Sequence, residues 1–326
     1  MAPENLEEQL IKYLTDAHSI EQQALVQMRA APKLAGDDRI ARIFSEHLSE
    51  TEGHERTIAS LLERHDASPS KLKDIVGTLT GAGFGAFAAA QPDTPGKLVA
   101  HAFSYEHMEE AAYHLLRPLA EQVGDAEAAA AAAEIEAQER RMAERLAGCF
   151  DVAVEASLRD VAPDELDAQL VSYLTDAHAI EVQSLKLLDK GPSLAGVPAL
   201  ATVYVQHREE TAEHRRLLAY ELERLGASPS KLKDAALWLG ALNWGMFFQA
   251  QPDTPAKLAA FAYAFEHLEI AAYESLRRVA RRAADTEVEG MAGHILGEEQ
   301  AAAAKIWGLL DEALTASLEE QGVASG

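Results

Sequence analysis

Cysteine is nearly absent: Cys149 stands alone in 326 residues. One thiol permits no internal disulfide and no paired-thiol metal knuckle, and its place near the end of a helical stretch reads as a small buried residue. Basic residues are also few, 29 Lys and Arg against 53 Asp and Glu, for a formal charge of −24. Phosphate binding needs a basic footprint, so this balance argues against nucleic acid as a partner and disfavours anionic lipid. An acidic surface attracts metal cations, as a general bias. The opening MAPENLEEQL lacks the basic-then-apolar pattern of an export signal. A cytoplasmic protein is expected. Aromatics reach only 6% while apolar residues make up 48% with frequent alanine runs, a composition that favours a helical globular chain.

What the chain does contain is a second copy of itself. YLTDAHSIEQQ at Tyr13–Gln23 returns as YLTDAHAIEVQ at Tyr173–Gln183, and ASPSKLKD at Ala67–Asp74 returns at Ala227–Asp234. QPDTP at Gln91–Pro95 recurs at Gln251–Pro255, all at an offset of 160 residues without a gap. So long a period means a duplicated domain, since solenoid units are shorter. The expected domains are residues 1–155 and 161–322. Each reads as four long helices with a short fifth between the second and third. The first runs from Asn5 to Ala30, broken by Pro32 and Gly36, and the second from Asp38 to His65. Ser68-Pro69 and Thr94-Pro95 are helix starts, a side-chain cap followed by proline. The fold class expected is all-α, two tandem four-helix bundles, each with a crossover helix of the kind ferritin-like bundles have.

Each of the four helices carries a glutamate on its apolar stripe: Glu21, Glu50, Glu109 and Glu139, repeated as Glu181, Glu210, Glu269 and Glu299. An unpaired buried carboxylate costs several kcal/mol or picks up a proton. Four per bundle would consume much of a domain's roughly 5–15 kcal/mol. Lysine and arginine are missing from matching positions, whereas His18, His47 and His54 share those faces and recur as His178, His207 and His214. His107 recurs as His267. Converging carboxylates with a few imidazoles suit a pair of iron or manganese ions in the bundle core. The expected metal ligands are the eight glutamates with His54 and His214. His18, His47, His107, His178, His207 and His267 are ligands or groups that orient ligands, and Glu106 and Glu266, one step off the stripe, are equally divided between ligand and rim. On this reading, removing Glu50 and Glu210 abolishes bound metal. Tyr105 and Tyr113 read as packing residues. Glu127 and Glu287 sit where a negative charge favours a helix start and are left out of the site.

DAHSIEQQ, HLSETEGHE and YEHMEEAAY, followed by a glutamate-bearing last helix, resemble the YciE/YciF group of ferritin-like proteins, a stress-associated family. The resemblance covers nearly all of each copy and implies a tandem fusion of two such domains, each with a carboxylate-bridged di-metal centre. Many di-iron bundles carry Glu-x-x-His on two helices. Here Glu50 and His54 are four apart, His47 lies three before Glu50, and Met142 and Ala302 fill the place of a histidine after Glu139 and Glu299. Cysteine pairs for a rubredoxin-like electron donor are lacking.

Two uncharged segments separate the second and third helices, IVGTLTGAGFGAFAAA from Ile75 and AALWLGALNWGMFFQA from Ala235. Each is shorter than the ~20 residues that cross a bilayer. Gly77, Gly81 and Gly85 make a flat helix face, read as a contact between the two bundles, packed as a pseudo-dimer, or between chains in a homo-oligomer. The leading expectation for function is a di-metal carboxylate protein acting on oxygen, peroxide or ferrous iron in stress protection. The alternative is a non-catalytic stress or scaffold protein with structural metal or none.

Overall fold

The computed structural model describes residues 5–67, 94–229 and 253–323. The uncharged segments between the second and third helices, and the helix start at Ser68-Pro69, lie outside the described residues. Among those described every regular element is helical. The first half contains α1 (Leu6–Leu34), α2 (Asp38–Arg64), α3 (Thr94–Val123), α4 (Ala126–Ala147) and α5 (Phe150–Ser157). A 3-10 turn at Pro163–Glu165 precedes α6 (Leu166–Leu194), α7 (Pro198–Arg224), α8 (Thr254–Arg282), α9 (Thr286–Trp307) and α10 (Leu310–Gln321). These form two compact units, one of Met1–Ser157 with Leu318–Gly326 and one of Leu158–Ser317, each an all-α bundle.

Helix starts follow from side-chain caps. Asn5 Oδ1 accepts from the Glu8 N–H at 2.9 Å, Asp37 from Arg39 and Ile40, and Asp125 from Ala128 at 3.0 Å. Asp285 repeats the last cap on Val288. The first helix does not stop at Pro32 but runs on to Leu34, and α6 likewise passes through Pro192. A proline this close to a helix end removes one bond from a turn that is about to finish. The real terminators are Gly36 and Gly196, at φ of 66° and 65°. Only glycine adopts that conformation cheaply, and here a side chain would also collide: a Cβ on Gly36 would lie 2.6 Å from Pro95 Cγ, and one on Gly196 2.5 Å from Pro255 Cγ.

Within the first unit α1 packs on α2 and on α3, and α4 packs on α3 and on α2. Gly36, after α1, touches Pro95 at the start of α3, while Arg64 at the end of α2 reaches Asp125 before α4 at 3.3 Å. Helices α2 and α3 therefore start at the same end of the bundle and run parallel, each antiparallel to its hairpin partner. The second unit repeats these neighbours with α6 to α9. Leu10, Leu14, Ile40, Phe44, Ile58 and Tyr113 belong to the dry core of the first unit. A layer of buried carboxylates and imidazoles interrupts that core near mid-height.

The sequence reading lacked the short α5 and α10. Gly148 ends α4, buried Cys149 follows, and α5 turns back along α3. Its Ser157 hydroxyl accepts from the Gly96 N–H at 2.9 Å, and Ser317 does the same for Ala256 in the second unit. The serine thus satisfies a helix-start donor that proline cannot cap by itself.

Candidate metal centre

The middle of α2 turns His47 and His54 inward, seven residues and two helical turns apart, with their rings 6.4 Å from centre to centre. Helix α3 contributes Glu106 and Glu109, three apart and both buried, α1 contributes Glu21, and α4 contributes Glu139. His47 Nε2 lies 3.1 Å from Glu106 and 3.4 Å from Glu139. His54 Nδ1 lies 2.8 Å from the other Glu139 oxygen and 3.7 Å from Glu21. Ligand atoms of Glu21, His54 and Glu139 fall within 4.8 Å of one another, as do those of His47, Glu106 and Glu139. Glu139 belongs to both groups.

Each imidazole is held from behind. A carboxylate can only accept, so the contact from His47 Nδ1 to Glu50 at 2.9 Å places a proton on Nδ1 and turns Nε2 inward. His54 Nε2 faces Gln138 Oε1 at 2.6 Å, and the Gln138 amide nitrogen donates to Glu134 at 3.3 Å, which fixes the amide orientation. His54 Nδ1 is thereby aimed at the carboxylates. On α1, Glu21 accepts a hydrogen bond from the Tyr113 hydroxyl. Outer hydrogen bonds of this kind fix ring orientation in metal sites and raise ligand basicity.

The second unit rebuilds the arrangement on α6 to α9. His207 Nε2 is 2.9 Å from Glu266 and 3.1 Å from Glu299, with Glu210 behind it at 2.9 Å. His214 Nδ1 is 2.9 Å from Glu299 and 3.5 Å from Glu181, with Glu298 behind its Nε2 at 2.8 Å. His207, Glu266, Glu269 and Glu299 converge as one group, and Glu181, His214 and Glu299 as another. Tyr273 donates to Glu181, and Ser184 donates to Glu269 at 3.3 Å.

These contacts are short, yet most of the inward atoms lack a hydrogen bond. Both oxygens of Glu106, Glu109 and Glu139, one of Glu21, and His54 Nδ1 are buried without a hydrogen-bond partner. The same holds for both oxygens of Glu299, one each of Glu181, Glu266 and Glu269, and for His207 Nε2 and His214 Nδ1. The N–H and lone-pair directions miss each other although the atoms are near. Buried polar atoms are almost always satisfied, so a shared set of unsatisfied acceptors is the signature of a seat for a cation. The oxygen and nitrogen donors fit a metal ion, which these buried clusters could hold.

Electrostatics point the same way. Burial and the neighbouring carboxylates lift Glu109 and Glu269 well above the usual carboxylate range. Burial also raises Glu21, brings Glu181 up to about 6, and brings Glu139 and Glu266 up to about 7, against partial relief from the histidines. Glu299 goes the other way, to about 2: burial would raise it, but the positive charge of His207 and His214, 3.1 and 2.9 Å away, outweighs that. Burial alone would depress the imidazoles, but Glu106 outweighs it at His47, and the flanking carboxylates lift His54 and His214 to about 10. Each cluster thus retains protons at neutral pH, and an entering cation would displace them.

Not every residue expected from the sequence comes to the centre. Glu21, Glu109, Glu139, His54 and their counterparts Glu181, Glu269, Glu299 and His214 are brought together. Glu106, His47, Glu266 and His207 join them on the inner side. Glu50 does not: its side chain is 42% exposed and lies behind His47, and Glu210 sits likewise behind His207. His47, Thr51 and His54 occupy the inward arc of α2, and position 50 lies at its edge. His18 reaches outward to Glu55 at 3.2 Å. His107 and His267 donate to the backbone oxygens of Phe103 and Tyr263, away from the clusters, and burial pulls His107 down to about 4. His178 is buried but outside the metal-holding groups. Tyr113, Tyr273, Gln138, Glu298 and Ser184 were not read as part of a site. Tyr113 sits in the repeated AAY, and that recurrence was its available signal.

No solved structure matches the chain. No helix among the described residues is long and apolar enough to cross a membrane. One family, described as a domain of unknown function (DUF892), matches twice, over residues 5–159 and 165–319. The chain belongs to this DUF892 family and carries its domain twice in tandem.

Proposed function

We propose that each unit is a di-metal carboxylate centre of the ferritin-like kind, holding two iron or manganese ions, and that the protein uses them on oxygen, peroxide or ferrous iron in stress protection. The observation that carries this is the set of buried carboxylate oxygens and imidazole nitrogens left without hydrogen bonds, converging from four helices and repeated in both units. Charge supports the count. Four ionised carboxylates per unit carry four negative charges, which two divalent cations neutralise while two neutral imidazoles complete the donors.

In this reading Glu21, His54 and Glu139 would hold one ion and His47, Glu106 and Glu139 the other, with Glu109 close to these carboxylates. Bound iron or manganese would supply the electrons and the Lewis acidity for reducing oxygen or peroxide. The chain's own part is positioning. Glu50 and Gln138 keep the inner ring nitrogens aimed at the ions, Tyr113 holds a proton against Glu21, and burial keeps bulk water from the carboxylates. The test is anaerobic loading with ferrous iron followed by oxygen or peroxide, read by absorbance and by consumption of the oxidant. Turnover above that of free iron supports the proposal, and rates equal to free iron contradict it.

One observation favours the non-catalytic alternative. His54 and His214, held protonated beside the carboxylates, offset part of the buried charge without any metal. A scaffold protein with structural metal would melt higher when loaded yet show no redox turnover, and one without metal would melt at the same temperature either way. A metal-dependent melting temperature together with redox turnover would exclude it.

A further inference from the structure

We propose that the two centres are graded, the second unit holding its ions more tightly than the first, because the outer nitrogen of His214 is hydrogen-bonded by a carboxylate, Glu298, where that of His54 is hydrogen-bonded by an amide, Gln138. The inference rests on the metal-centre reading above.

The inner donors are the same residue types at the 160-residue offset, and so are Glu50 with Glu210 and Tyr113 with Tyr273. Differences begin one step outward. Gln138 Oε1 takes the His54 Nε2 hydrogen at 2.6 Å, while Glu298 takes that of His214 at 2.8 Å. The geometry is equivalent and the charge is not. An anionic acceptor makes the opposite ring nitrogen a stronger donor to a cation and adds a negative charge to the surroundings. The outer surroundings also differ: Gln138 is tied to Glu134, whereas Glu298 has His294 Nε2 at 3.7 Å from its other oxygen.

Two of the other differences near the inner residues do not cancel this one. Ser184 stands where the first unit has Ala24, and its hydroxyl draws on Glu269 at 3.3 Å. That hydrogen bond is long and its donor neutral, so it weakens one carboxylate less than the charged Glu298 strengthens one imidazole. Tyr105 stands where the second unit has Phe265, but its hydroxyl donates to the Ile20 carbonyl at 3.0 Å. The second unit then fills first and retains its ions, and the first exchanges them more readily.

The experiment is a titration of the full, metal-free chain with Co(II) against a competing chelator, read by the visible absorption of the bound ion. Loss of an outer partner of a ligating histidine typically changes metal affinity by about 10–100-fold. Wild type is therefore expected to bind in two classes about tenfold or more apart. Glu298→Gln should weaken the tight class until the two merge. Gln138→Glu should tighten the weak class, a gain that a damaged fold cannot mimic. Binding in one class, unmoved by Glu298→Gln, would overturn the grading and leave the metal centres standing. Absence of Co(II) uptake by wild type would overturn the metal-centre reading and the grading with it.

Discussion

Two pairs of substitutions look alike in the sequence and are expected to behave differently. Glu106→Ala with Glu266→Ala removes an inner carboxylate from each centre: Glu106 is wholly buried, its oxygens lack hydrogen bonds, and His47 Nε2 lies 3.1 Å away. Glu50→Ala with Glu210→Ala removes only the acceptor behind His47 and His207, at 2.9 Å on the outer nitrogen. Losing such a partner weakens metal binding by about 10–100-fold, or about 1.4–2.7 kcal/mol. That loss is visible in a chelator competition but small enough to leave ions bound at micromolar protein. Losing the inner carboxylate takes a donor and a charge from one of the two ions, so about one ion per unit should disappear on dialysis. Equilibrium dialysis with elemental analysis, alongside circular dichroism to establish that both variants remain helical, separates the cases. Full metal retention by the Glu106 and Glu266 variant, with complete loss in the Glu50 and Glu210 variant, would refute the assignment of inner and outer residues.

Other expectations follow from the same geometry. The metal-free protein should lose stability as pH rises. Folded carboxylates raised above their unfolded values, such as Glu139 and Glu266 at about 7, contribute stability present below about 4.5 and lost as pH climbs through 7. His54 and His214, raised to about 10, extend the decline from about 6.5 upward. Melting temperatures from pH 5 to 9 should therefore fall for the metal-free form and stay flatter for the loaded one, and parallel curves would count against this. Tyr113→Phe with Tyr273→Phe removes the hydroxyls that donate to Glu21 and Glu181, at about 1.5–3 kcal/mol for each hydrogen bond to a charged group. Chemical denaturation of the metal-free chain should register the loss, and unchanged midpoints would contradict it. Gly36→Ala combines a left-handed backbone, about 1–2 kcal/mol for a side chain, with the collision against Pro95. A fall in melting temperature of several degrees is expected, and a neutral result would mean that Pro95 yields.

Much of this architecture was legible because the chain is written twice. The 160-residue offset, the apolar stripes and the breaks between helices led to two all-α bundles, and the stripes carried Glu21, Glu109, Glu139 and His54 to the centre. The misreadings have a common physical origin: helical periodicity locates a face only to within a broad arc. On α2, Glu50 lies about 60° around the helix from His47, close enough to read as part of the stripe yet far enough to reach solvent. On α3, where both Glu106 and Glu109 are buried, an apolar stripe could not separate inner from rim positions. Spacing would have served better. Glutamates three apart at 106 and 109 and histidines seven apart at 47 and 54, both repeated at the offset, define two one-sided pairs. The serine that ties α5 to the start of α3 could not be anticipated, because it answers a backbone donor that only the folded chain brings near it.

The central claim is that the buried carboxylates and imidazoles exist to hold metal. Elemental analysis of the full chain, purified without added metal or affinity histidines and then loaded anaerobically with ferrous iron, tests it most directly. The account predicts close to four iron or manganese ions per chain, two for each unit. Protein that carries no tightly held metal before or after loading would contradict it, and the protonated histidines and carboxylates would then be the whole of the compensation.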